Sequence, residues 1–119
     1  MRYLLLIYGD EKAFANMSKE DVDASMAEWF AYTDAIQKAG VSQAGEALQP
    51  TATATTVRVK DGKTVTTHGP FAETKEQLGG YYLIDAKNLD EAIEWAARCP
   101  GALYGSIEVR PLMEFDQGQ

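Results

Sequence analysis

Thr67-His68-Gly69-Pro70-Phe71-Ala72-Glu73-Thr74-Lys75-Glu76-Gln77-Leu78-Gly79-Gly80-Tyr81-Tyr82-Leu83-Ile84 orders the chain around itself. It holds the only histidine, four backbone punctuators (Gly69, Pro70, Gly79, Gly80) and three close charges, Glu73, Lys75 and Glu76. Gly80 to Ala86 reads as a strand, and Tyr81-Tyr82-Leu83-Ile84 is apolar on both of its faces. Upstream, Thr55–Lys60 and Lys63–Thr67 flank Asp61-Gly62, the strongest short hairpin signal. A two-residue turn there pairs Val59 with Thr64 and Val57 with Thr66. Side chains two apart share a face, so Val57, Val59, Thr64, Thr66 and, if the strand continues, His68 point one way, Arg58 and Val65 the other.

Nearer the N-terminus, Tyr3–Tyr8 is a second apolar run of strand length. Ser18 opens a long helix with Asp21 at the capping-box position. Val22, Met26, Trp29, Phe30, Thr33 and Ile36 are its expected apolar stripe, and Gly40 its C-cap. Val41–Leu48 is a weaker strand, interrupted by Gly45 and ended by Gln49-Pro50. Asn88 caps a second helix with Glu91 three residues on. Leu89, Ala92, Ile93 and Ala96 form its stripe, and Pro100-Gly101 stops it. Gly105–Leu112 is a last strand, and Asp116–Gln119 is expected to fray.

The order β-α-β-hairpin-β-α-β predicts an α+β ferredoxin-like sandwich with an extra β-hairpin. At 119 residues the chain reads as a single domain, residues 1–119. Two crossover helices cover one sheet face only, yet two strands are apolar on both. The open face needs apolar cover, and a second copy of the same sheet is the simplest source. The expectation is a homodimer packed through its sheet faces.

The net charge of −7 argues against nucleic acid, which calls for a basic stripe, and against an anionic membrane surface. Cys99 is the only cysteine, so no internal disulfide forms. The apolar run at the N-terminus is too short for a signal peptide, and no stretch is long enough to span a bilayer. The chain reads as cytoplasmic.

Thr56-Val57-Arg58, Asp61-Gly62 and Gly69–Tyr82 closely resemble the DGPF group of YCII-related proteins. Leu89-Asp90-Glu91-Ala92, Trp95-Ala96 and Glu108-Val109-Arg110-Pro111 extend the resemblance over nearly the whole chain. It implies a dimeric α+β barrel built of ferredoxin-like units. It also implies a cleft with a His-Asp pair and, for this group, an association with extracytoplasmic-function sigma factors. This sequence departs from the pattern at one point: the family's aspartate before Gly-Pro-Phe is His68 here, an imidazole in place of a carboxylate.

The candidate catalytic residues are His68, Glu73 and Lys75. Histidine titrates near neutral pH without special surroundings, and a carboxylate beside an ammonium can move protons if both are buried. The plainer alternatives are a structural histidine at a strand end and a solvated charged loop. Arg58 and Tyr81 are candidate ligand-binding residues, Arg58 as an anion holder and Tyr81 as a cleft wall. An exposed strand arginine and a core or interface aromatic are the alternatives. Gly79-Gly80 reads as a bulge at a strand start in preference to a ligand cradle. One histidine and one cysteine make no usual zinc site alone, although a dimer could share ligands, and no nucleophile elbow, phosphate loop or dinucleotide fingerprint is present. Cys99 beside a helix C-terminus is disfavoured as a thiolate. Two functions stand side by side: a cofactor-free acid-base enzyme acting on a small molecule, and a non-catalytic dimeric module that binds a ligand or a protein.

Overall fold

The computed structural model describes residues 1–115; the tail from Asp116 lies outside them. Strand β1 (Arg2–Gly9) runs into a short helix α1 (Glu11–Ala15) and the long helix α2 (Lys19–Lys38). Then come β2 (Ser42–Ala47), a single 3-10 turn at Thr51–Thr53, the hairpin β3 (Thr55–Lys60) and β4 (Lys63–His68), and β5 (Gln77–Asp85). Helix α3 (Leu89–Arg98), one turn of α4 (Gly101–Tyr104) and β6 (Ser106–Pro111) complete the chain.

Four strands form an antiparallel sheet in the order β2-β5-β1-β6, while β3 and β4 pair only with each other. This is the expected ferredoxin-like sandwich with its extra hairpin. Both long helices start where their caps dictate. Ser18 Oγ accepts from the Asp21 N–H at 3.1 Å, and Asn88 Oδ1 from the Glu91 N–H at 3.0 Å, each satisfying a first-turn donor that lacks an intrahelical partner. No helix among the described residues is long and apolar enough to cross a membrane.

The core lies between the sheet and α2 and α3. Tyr3, Leu5, Ile84, Ala86, Ala92 and Ala96 form one buried cluster; Tyr32, Ile36 and Cys99 form a second. Tyr82 links them. Its ring lies 6.4 Å from that of Trp29 and edge-on to Tyr32 at 5.4 Å, and its hydroxyl meets Thr33 Oγ1 at 2.6 Å. Gly45 lies under this ring, where a Cβ would come within 2.6 Å of it.

The stripe of α2 differs from expectation. Val22, Trp29, Thr33 and Ile36 face inward, joined by Ser25 and Tyr32, whereas Met26 and Phe30 stand out in solvent. A straight helix on a sheet buries a narrow band, and 22-25-29-32-36 follows the 3.6-residue repeat more closely than a reading that favours the largest apolar side chains. Strand β5 begins three residues earlier than expected. A register shift opposite Ile7/Tyr8 leaves Gly79 as the extra residue, the bulge anticipated at Gly79-Gly80. The α3 stripe also shifts: Ala92 and Ala96 are buried, with Trp95 packed against them, while Leu89 and Ile93 are about half exposed.

Cys99 is 1% exposed. Burial pushes its thiol up to about 11, partly offset by a hydrogen bond with the Gly101 backbone. A raised folded value means that the thiol contributes fully below its ordinary value of 9.0 and that this contribution is lost as pH rises toward about 11. The native thiol is therefore expected to resist a water-soluble disulfide reagent at neutral pH. Denaturation midpoints should fall across that alkaline window, less steeply in Cys99→Ala. Rapid stoichiometric labelling of the folded protein would contradict this.

Candidate functional site

The pleat assigns each sheet residue to a face. On β1, Tyr3, Leu5 and Ile7 point to the helices, so Arg2, Leu4, Leu6 and Tyr8 point to the open side. Cross-strand partners share a face. Tyr81 and Glu108 flank Leu6, Leu83 and Arg110 flank Leu4, and Leu78 and Ser106 flank Tyr8. Across β2, Glu46 lies opposite Tyr81 and Ala44 opposite Leu83. The open face thus has an apolar floor of Leu4, Leu6, Leu78, Tyr81 and Leu83. Acidic side chains bound it on both flanks, with Glu108 ion-paired to Arg110. All five floor residues are only half buried.

Polar groups gather at one end of this face, where β1 ends and β5 and β6 begin. Ser106 Oγ donates to Glu76 Oε1 at 2.9 Å, beside Tyr8. Glu11 accepts from the Thr51 N–H at 2.8 Å and from its hydroxyl at 2.6 Å, while the Glu11 N–H donates to Gln77 Oε1 at 3.0 Å. These bonds tie α1, the segment before the hairpin and the start of β5 to one another. The close passage of β1 and β6 depends on Gly105, where a Cβ would fall 2.1 Å from the Tyr8 carbonyl oxygen.

The hairpin leaves from this same end. Its register is the expected one, with Val57 opposite Thr66, Val59 opposite Thr64 and Arg58 opposite Val65. Asp61 (φ 52°) and Gly62 (φ 76°) both take the left-handed conformation required by a two-residue turn of this hand. At the root, the Gly69 N–H donates to the Ala54 carbonyl at 2.7 Å, and Thr56 Oγ1 donates to the Gly69 carbonyl at 2.9 Å. Gly69 is buried at φ 100°, a conformation that favours glycine.

The residues nominated from sequence are not brought together in the folded chain. His68 ends β4 opposite Thr55 and is exposed, as are Arg58, Glu73 and Lys75. Among the described residues no hydrogen bond or ion pair links any two of them. Tyr81 alone stands on the open face. Of the three charges after Pro70 it is Glu76, not Glu73 or Lys75, that reaches the sheet end. The pairing of Glu76 with Ser106 spans 30 residues, and no local motif announces it. Tyr8 was legible only as the last residue of an apolar strand run. Two shallow grooves on the helical side, bordered by Tyr32, Arg98 and Leu103 and by Ile93, Ile107 and Val109, include none of the nominated residues. The buried hydroxyls are structural. Tyr32 donates to the Trp95 carbonyl at 2.7 Å, and burial raises the pKa of both Tyr32 and Tyr82.

Three similarities bear on this arrangement. In structure, the chain is similar to 5-chloro-2-hydroxyhydroquinone dehydrochlorinase from Burkholderia phenoliruptrix, solved in complex with 2,5-dihydroxybenzoquinone. The TM-score is 0.53 at 15% identity, over 97% of this chain and 96% of that one, a likeness of fold. In sequence, it is 41% identical over 121 residues to an uncharacterised protein of Rhizobium meliloti, covering 100% of this chain and 98% of that protein. Residues 1–116 match the YCII-related domain. The chain belongs to the YCII-related family.

Proposed function

We propose that this protein works as a homodimer whose paired open faces enclose a small, flat, largely apolar molecule, on which it performs cofactor-free acid-base chemistry. The observation that carries the reading is the open face itself: an apolar floor with Tyr81 in it, ending in the Tyr8–Ser106–Glu76 group. Water-exposed leucines on two central strands are unfavourable until covered. Covering them with a second sheet leaves the polar end as the place where a ligand's oxygen atoms find partners. Glu76, accepting from Ser106, is the proton acceptor in this scheme. The Tyr8 hydroxyl orients the ligand, and the Tyr81 ring supplies a surface for stacking. His68 and Arg58 stand on the hairpin and meet a ligand only through the assembled dimer. Glu73 and Lys75 face solvent and take no part. A structural neighbour that acts on a chlorinated hydroxyhydroquinone supports the size and flatness of the ligand by analogy of fold. The lone Cys99 agrees with a reducing, cytoplasmic setting.

One observation favours the second reading, a non-catalytic dimeric module that binds a ligand or a protein. The ionisable groups on the open face lie at its edges and do not converge on a single point. The two readings part on one experiment. A thermal-shift screen with phenols, quinones and aromatic acids is expected to find a stabiliser, worth about 2.7 kcal/mol at a hundredfold excess over Kd. For the enzyme, Glu76→Gln lowers turnover of that compound by roughly a hundredfold or more while leaving its binding nearly intact. Binding without turnover in the wild type would leave the module reading. No stabiliser in the screened classes would remove the chamber.

A further inference from the structure

The hairpin β3–β4 stands apart from the rest of its protomer. Neither strand packs extensively on any other element. Val57, Val59 and Val65 are 59%, 73% and 43% exposed. An isolated two-stranded hairpin is marginal in water, and this one presents its valines to solvent. The radius of gyration is 16.6 Å and the extents are 52 × 48 × 18 Å, against about 13.5 Å for a compact chain of this length. The molecule is a slab with an arm.

The arm also differs in charge. Residues 55–68 carry three of the 11 basic side chains (Arg58, Lys60, Lys63) and one of the 18 acidic ones (Asp61), a local charge of +2. Out of a total of −7, that leaves −9 on the remainder. Register divides the arm into a face of Val57, Val59, Thr64 and Thr66 and a face carrying Arg58, Lys60 and Lys63. The surface that complements the basic face of this ribbon is the acidic body of this same chain.

We infer that the β3–β4 arm of each protomer lies across the acidic body of its partner, its Arg58, Lys60 and Lys63 face turned toward that body's carboxylates, so that the chamber between the sheets is closed in trans. This inference rests on the paired-sheet reading above.

Heavy-isotope and light chains are mixed, allowed to exchange, and treated with a zero-length carbodiimide that joins amines to touching carboxylates. Sedimentation is run on the same sample. Cross-links from Lys60 or Lys63 to body carboxylates are expected in mixed-isotope pairs. Lys60→Glu/Lys63→Glu, exposed changes that leave the core intact, should weaken the dimer about tenfold at low salt and far less at high salt. Same-isotope cross-links alone, in a sample that sediments as a dimer, would overturn the arm exchange and spare the paired sheets. A monomer in sedimentation would remove both.

Discussion

Leu6→Asp is expected to turn the proposed dimer into a folded monomer. Leu6 sits at the centre of the open face, between Tyr81 on β5 and Glu108 on β6, and its side chain points away from the helical core. In a monomer the change is mild, because an aspartate there faces water. Against a second sheet it buries a carboxylate in each copy, next to an existing acid. Burying an unpaired charge costs several kcal/mol per ion. Two of them should therefore weaken association by roughly a thousandfold or more. Size-exclusion chromatography with light scattering reads the mass, and circular dichroism checks the fold. An unchanged dimer would show that the open face is not the interface. Leu5→Ala, one residue away on the opposite face, is the contrast. Leu5 is fully buried, so its loss should reduce stability by about 2–5 kcal/mol without a comparable specific effect on assembly.

Gly105→Ala should produce the largest loss of stability from the smallest chemical change. The atom in the way is a backbone carbonyl oxygen of β1, 2.1 Å from where the new Cβ would lie, with the Gly9 Cα at 3.1 Å. No flexible side chain can yield, so β6 must move off β1. That movement would disturb the pairing of Ser106 with Tyr8 and its bond to Glu76. Overpacking of this kind costs about 1–3 kcal/mol and more where backbone must shift; a loss of at least about 3 kcal/mol is expected. Denaturant unfolding measures it. A second effect follows from position: any ligand found in the screen should bind less tightly, because the distortion falls at the polar end of the face. A variant with wild-type stability would mean that β1 and β6 do not approach this closely at Gly105.

These two residues mark what could and could not be read in advance. Punctuation was legible wherever chemistry is local. Ser18 and Asn88 cap as expected, Asp61-Gly62 makes its turn, and Gly79 is a bulge. The double-sided apolar character of Tyr3–Tyr8 and Tyr81–Ile84 was legible too, and with it the open face. Short helices were not: α1 is capped by Asp10, whose side chain accepts from the Lys12 N–H, but five residues leave little periodicity, and α4 continues just where Pro100-Gly101 reads as a stop. The proposed site was the least legible part. His68, Glu73 and Lys75 drew notice because they are chemically rare or close in sequence, whereas the group at the sheet end joins Tyr8, Glu76 and Ser106 from three strands or their approaches. Antiparallel register brings them together, and no spacing along the chain encodes it.

Dimer, chamber and arm exchange all depend on a second copy of the chain covering the open sheet face. Sedimentation equilibrium of the wild-type protein at low micromolar concentration tests this most directly. The expected result is a single species at twice the 13.1 kDa chain mass, dissociating in Leu6→Asp. A wild-type protein that stays at the mass of one chain over that range would contradict it.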